Sequence, residues 1–152
     1  MMKILVCVCA EKIPDLFSWQ IMRRFKAPVS HIYIRHEDMI LEASDGGVKL
    51  KKCPPTFAIE HYEFACKEVI LSCTLLEFEH WVSKNLGKPY GTSQIPGYFV
   101  PKFLRFLFKN GRKKGICCEL VHWLMKDLSD HPNFRDDSES DFCKPWETFN
   151  LI

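Results

Sequence analysis

The chain has 152 residues, a length that typical domain size makes a single domain over 1–152. Its 47% hydrophobic and 26% charged residues exclude a disordered or fibrous chain, and a net charge of +2 excludes a globally polyanion-binding protein. Eight cysteines are too few for a disulfide scaffold and so raise the question of what they do.

Residues 2–9 (MKILVCVC) are apolar, β-branched and bounded by charge, the pattern of a buried strand. Glu11 and Lys12 stand where a signal peptide would need small cleavage-site residues. No apolar run approaches the roughly 20 residues that span a bilayer, so the expected location is cytoplasmic, where disulfides are not expected. Cys7 and Cys9 are expected on opposite faces of their strand. Zinc needs paired ligands at short spacing, and the chain has no CxxC. Neither a structural metal nor a cofactor is therefore expected, and Cys7, Cys9, Cys53, Cys66, Cys73 and Cys143 read as small packing residues.

Asp15 reads as the N-cap of a helix to about Phe25, stopped by Pro28. Residues 29–35 and 39–43 alternate around a polar turn as a hairpin, and 48–52 extend the sheet after Gly46-Gly47. Pro54-Pro55 breaks the pattern, and 57–67 alternate as a further strand. Ser72 is expected to cap a helix over 74–86, with Gly87 at its stop. Residues 88–97 are a Gly/Pro loop and 102–109 a helix ended by Asn110-Gly111. Residues 117–128 form the next helix, 136–141 (DDSESD) a solvated acidic loop, and the last ten residues dock on the core. Strands first and helices later predict an α+β fold with an antiparallel sheet packed against helices.

Two segments carry chemistry. If the hairpin turn is centred between His36 and Glu37, Ile34 faces Met39, Ile32 faces Leu41, Tyr33 meets Ile40 and His31 lies opposite Glu42. Opposite residues have Cβ atoms about 5 Å apart, so Glu42 reaches one imidazole nitrogen, fixing its tautomer and stabilising the imidazolium. An ordinary cross-strand surface pair has the same signature, and a one-residue slip would destroy the pairing. In GICCELVHWLMKDL, Leu120, Val121, Leu124 and Leu128 form one stripe with Cys117 at its N-terminal end, whereas Cys118 shares a face with His122 and Met125. A thiol in a helix's first turn is acidified by the helix dipole; a buried structural cysteine is the alternative.

SHIYI, then ILEA, then GKPYG, then CCELV resemble, in this order, the circularly permuted papain-like hydrolases. This is the YiiX-type branch of the NlpC-like clan, whose relatives include lecithin retinol acyltransferase. The resemblance runs from about residue 17 to residue 125. It implies a permuted papain-like (NlpC-like) fold in which Cys117 is the nucleophile, His31 the general base and Glu42 the orienting polar residue. Cys118 stands where the family often has Ser, so which cysteine reacts stays open, with helix phase and motif alignment both favouring Cys117. Gly91 replaces an acidic residue found in many relatives. Tyr33 and Tyr90 are candidates to donate to an oxyanion or to line the substrate cleft; an aromatic packing residue is the alternative for either. The implied activity is a thiol-dependent hydrolase or acyltransferase on a peptide, amide or lipid-ester substrate, amidase or peptidase before lipid acyltransferase. The alternative is a catalytically silent binding module of the same fold.

Residues 102–114 (KFLRFLFKNGRKK) interleave six Lys or Arg with Phe and Leu. An amphipathic basic segment suits an anionic membrane surface or an acidic partner; a helix packed by its aromatics with a solvated cationic side is the alternative. No recognition module accompanies it, so nucleic acid is not expected.

Overall fold

A computed structural model describes residues 1–14, 16–98, 100–108, 114–135 and 143–152. Five strands, β1 (Met2–Glu11), β2 (His31–His36), β3 (Met39–Ser44), β4 (Gly47–Lys52) and β5 (His61–Leu71), pair antiparallel in the order β4-β3-β2-β1-β5. The fold is α+β. β1 lies between β2 and β5 and is buried on both faces from Val6 to Ala10, which is why its sequence is a continuous apolar run rather than an alternating one. Ile4, Val6 and Val8 point with Ile32, Ile34 and Leu41 into the main core. Cys7 and Cys9 point to the other face, with Tyr33, Ile40 and Phe57. The expectation of opposite faces for Cys7 and Cys9 is thus corrected: residues two apart on a strand share a face.

The expectation of no disulfide is corrected too. Cys7 lies directly opposite Cys66 on β5, Cα atoms 4.1 Å apart, and the two are bridged. Alkylation of the unfolded, unreduced chain should therefore modify six cysteines, Cys9, Cys53, Cys73, Cys117, Cys118 and Cys143, and prior reduction should expose two more, as intact mass reports. The bridged residues are 59 apart, so chain entropy alone makes reduction cost about 4 kcal/mol of stability.

The hairpin register differs from expectation by two residues. The turn is Glu37-Asp38, with Glu37 at φ 53°, and Ile34 faces Leu41 rather than Met39, while His36 faces Met39. A shift of two returns every side chain to its own face, where a shift of one would have inverted them all.

Among the described residues, five α-helices pack on this sheet or around its ends. α1 is Leu16–Phe25; the expected cap, Asp15, lies outside the described residues. Residues 57–60 are not strand but a short helix, α2 (Phe57–Glu60), begun by the Phe57 N–H donating to the Pro54 carbonyl after the proline pair. α3 (Leu75–Asn85) is capped by Thr74 rather than Ser72, in a reciprocal box with Glu77. Residues 92–98 and 102–108 are 3-10 helices. α4 (Cys117–Leu128) has the expected bounds, and α5 (Pro145–Leu151) docks Phe149 on the core. Residues 109–113, with the Asn110-Gly111 stop, and the acidic loop 136–141 lie outside the described residues. Phe103 and Leu107 are 75% and 63% exposed, whereas Phe108 packs against the core. Among the described residues, no helix is long and apolar enough to cross a membrane.

Candidate active site

The loop ahead of α4 is fixed by close backbone approaches. Gly47, at φ +104°, would carry a Cβ 2.4 Å from the Lys88 carbonyl oxygen. Only glycine lets the Val48 N–H donate to that carbonyl while Gly87 N–H donates to Val48. The chain then runs through Tyr90, which bridges in parallel to Gly115; Gly91 N–H donates to the Gly115 carbonyl and Gly115 N–H to the Pro89 carbonyl. GKPYG and the entry to α4 are thereby one unit.

α4 begins at Cys117. Ile116 has no side-chain acceptor, so the first turn is capped from within by Glu119, whose carboxylate accepts from the Ile116 N–H at 2.9 Å. The helix is buried at every position from 117 to 125 and packs against β2 and β3. This places the Cys117 sulfur against the start of β2, the strand that carries His31.

His31 Nε2 donates to Glu42 Oε2 at 3.1 Å. Because of the shifted register, the two residues meet on the diagonal rather than directly opposite, still within reach for long side chains. Glu42 is buried and holds two further donors: Lys51 Nζ at 2.6 Å and Ser44 Oγ at 3.2 Å. Burial alone would raise the Glu42 pKa; the hydrogen bond and charge of His31, then those of Lys51, more than offset it and bring it down to about 2. Burial likewise pulls the His31 imidazole down, but Cys117, by charge and hydrogen bond, and then Glu42 carry it up to about 10. With Nε2–H committed to Glu42, Nδ1 is the nitrogen left for sulfur.

The Cys117 thiol is held well below its ordinary range. The Cys118 thiol contributes most by hydrogen bonding to it; burial opposes; the charge and hydrogen bond of His31 and the Ile32 backbone N–H add to the lowering. The start of a helix favours the same charge. Cys118 is fully buried and pushed the other way, by burial first and then by Cys117. Its one proton faces two acceptors, the Cys117 sulfur and the Cys143 carbonyl at 2.8 Å. The two adjacent cysteines are therefore unlike: one favours thiolate, the other thiol.

Cys117, His31 and Glu42 thus come together. Tyr90 lines both hollows beside them, an apolar cavity with Cys117 on its wall and a polar cleft with His31 and Glu42 on its wall. Tyr33 lines neither: its ring is buried against Phe57 and its hydroxyl donates to Glu63. Two neighbours escaped the sequence. Lys51 reaches Glu42 across the diagonal of β3 and β4, where Glu42 itself faces Lys49; a three-strand meander makes that diagonal visible only once both registers are known. Cys9, paired with His31 in the β1–β2 register, is kept protonated by burial first and then by the charges of Cys117, Glu42 and Glu63.

The Glu42 pKa has a consequence for stability. A folded value near 2 against an ordinary 4.5 stabilises the fold fully above about pH 4.5, and the contribution is lost as pH falls toward 2. At about 1.4 kcal/mol per unit, it amounts to about 3 kcal/mol. The stability difference between wild type and Glu42→Gln, read by urea unfolding, should shrink by that amount between pH 5 and pH 2.

Compared with family models, curated proteins and solved structures, the chain matches none.

Proposed function

We propose that the protein is a thiol-dependent hydrolase or acyltransferase of the permuted papain-like kind, acting on an amide, ester or thioester carbonyl through Cys117, His31 and Glu42. The observation that carries this reading is the placement of Cys117 at the head of α4, beside an imidazole that is itself oriented by the buried Glu42 carboxylate, an arrangement that lowers the thiol's pKa. A strand carrying His before a helix carrying Cys is the chain order expected of the permuted fold.

In this reading His31 holds the proton of Cys117 as imidazolium, and the thiolate attacks the carbonyl carbon. The oxyanion is met by the Cys117 backbone N–H, one of the helix-start donors, with Tyr90 the nearer of the two candidate tyrosines to contribute from the cleft. His31 returns its proton to the leaving atom, and water or an acceptor amine or alcohol then releases the acyl group. Glu42 keeps the imidazole in one tautomer. A cytoplasmic setting suits a catalytic thiol kept reduced; the Cys7–Cys66 bridge is then the exceptional pair, and the alkylation count tests it.

The test is labelling of the intact chain with a thiol-reactive acyl probe, followed by mass-spectrometric mapping. The label should sit on Cys117. A label confined to other cysteines, or none at all, overturns the reading.

A further inference from the structure

The Cys117–His31 contact separates two hollows of opposite character. The cavity that Cys117 lines is walled, among the described residues, by Ile21, Phe25, Tyr98, Ile116 and Pro145. The cleft that His31 and Glu42 line carries Glu11, Ser18, Ser44, Asp45, Lys51 and His61. Ile21, Ser30 and Tyr90 belong to both walls, so a substrate seated at the sulfur extends into each.

Reaction chemistry assigns the two sides. The acyl carbon becomes bonded to the Cys117 sulfur, so the acyl group lies on the sulfur's side, in the apolar cavity. The leaving atom takes its proton from His31, so the leaving group lies on the imidazole's side, in the polar cleft.

Size then sets a limit. The cavity has about 30 Å³ of solvent-accessible interior and the cleft about 370 Å³. At about 10–15 Å³ per water, the cavity holds two or three waters, the space of a short acyl group. Its wall is tied: Tyr98 Oη and Cys118 Sγ both donate to the Cys143 carbonyl at 2.8 Å. The Phe25 ring meets Tyr98 edge-on at 5.5 Å, and the Lys144 ammonium lies 5.0 Å over Phe25.

We propose that the site selects short apolar acyl groups, of about two to four carbons, carried on a larger polar leaving group, and that Phe25 with Tyr98 sets the length limit. This rests on the thiol-acyl reading above. The step balances within the site. The Cys117 thiolate forms the C–S bond as the bond from the carbonyl carbon to the leaving atom breaks, and the His31 proton passes to that atom. Water or an acceptor entering by the cleft then gives its proton back to His31 as it displaces the sulfur.

The test uses N-acetylcysteamine thioesters of acetyl, butyryl, octanoyl and dodecanoyl groups with the full chain. It follows kcat/KM together with the intact-mass acyl adduct on Cys117. Acetyl and butyryl should exceed octanoyl by about tenfold or more, since each poorly seated methylene is worth roughly tenfold in such a pocket. Phe25→Ala should reverse the order of butyryl and octanoyl; if that variant does not fold, Phe25→Leu should narrow the ratio. Equal or better turnover of the long thioesters by wild type overturns the length limit while leaving the thiol-acyl reading intact. An unchanged ratio in the folded Phe25 variant overturns the role of that wall. Absence of any acyl adduct on Cys117, across all four thioesters and the probe, overturns both proposals.

Discussion

Cys117→Ala should abolish covalent labelling by an acyl probe and all acyl turnover, whereas Cys118→Ala should keep both. The difference comes from which proton is held where. Cys118 is fully buried with its thiol donating to the Cys143 carbonyl, and burial and the neighbouring sulfur both hold it protonated. Cys117 has the Cys118 thiol, His31 and the Ile32 N–H arranged to hold a thiolate. Cys118 is thus a positioning residue for its neighbour. Its loss removes the largest contribution to the acidity of Cys117, so Cys118→Ala should be labelled several-fold more slowly near pH 6 and regain wild-type labelling at high pH. Cys118→Ser, which restores a donor in the same place, should recover most of the low-pH rate. A merely structural role for Cys118 would show neither the pH-dependent loss nor the rescue. Labelling that survives Cys117→Ala and disappears in Cys118→Ala would reverse the assignment.

How much of this site was legible in the sequence depends on what kind of signal each part leaves. α4 was legible to the residue because its apolar stripe and its entry from the basic loop are local features. The hairpin was legible in its faces but not in its register. Glu37-Asp38 lacks the Asn-Gly or Gly signature of a tight turn, and the left-handed Glu37 leaves no mark in composition. His31 and Glu42 still meet because a two-residue slip preserves the face. The Cys7–Cys66 bridge was not legible at all: it depends on β5 pairing with β1 across 59 residues, and nothing local to either cysteine specifies that partner. The strand expected from residue 57 failed because alternation continues through α2, where the proline pair and its turn override it. The convergence of sulfur and imidazole is likewise a product of α4 crossing β2. Sequence order proposes that contact through a family resemblance; only packing brings the groups together.

His31→Ala should lower acyl turnover by about 10²–10⁴-fold, the usual worth of a positioned acid–base group, and should change the pH profile in a way that simple loss of packing would not. In the wild type, thiolate is present above the lowered pKa of Cys117, and imidazolium persists until pH rises through about 10. Turnover should therefore plateau across neutral pH and fall on an alkaline limb near 10. Without His31 the ion pair is gone and the Cys117 thiol rises toward its ordinary range, held back by the Cys118 hydrogen bond and the Ile32 N–H that remain, and the profile becomes a single rise with no alkaline limb. Fewer thiolates are then present at about pH 6.5, and the greater nucleophilicity of a less acidic thiolate offsets only part of that loss, so iodoacetamide labelling of Cys117 should slow several-fold in His31→Ala at that pH. Glu42→Gln should act in the same direction and more weakly. The imidazole keeps Cys117 but loses the carboxylate that raises it, and the alkaline limb should move below 10 with a smaller loss of rate. A Glu42→Gln variant with an unmoved limb would deny Glu42 its orienting role. A Cys117 that stays unreactive toward iodoacetamide below pH 8 in the wild type would leave the fold as a binding module, with the cavity and cleft as its ligand site.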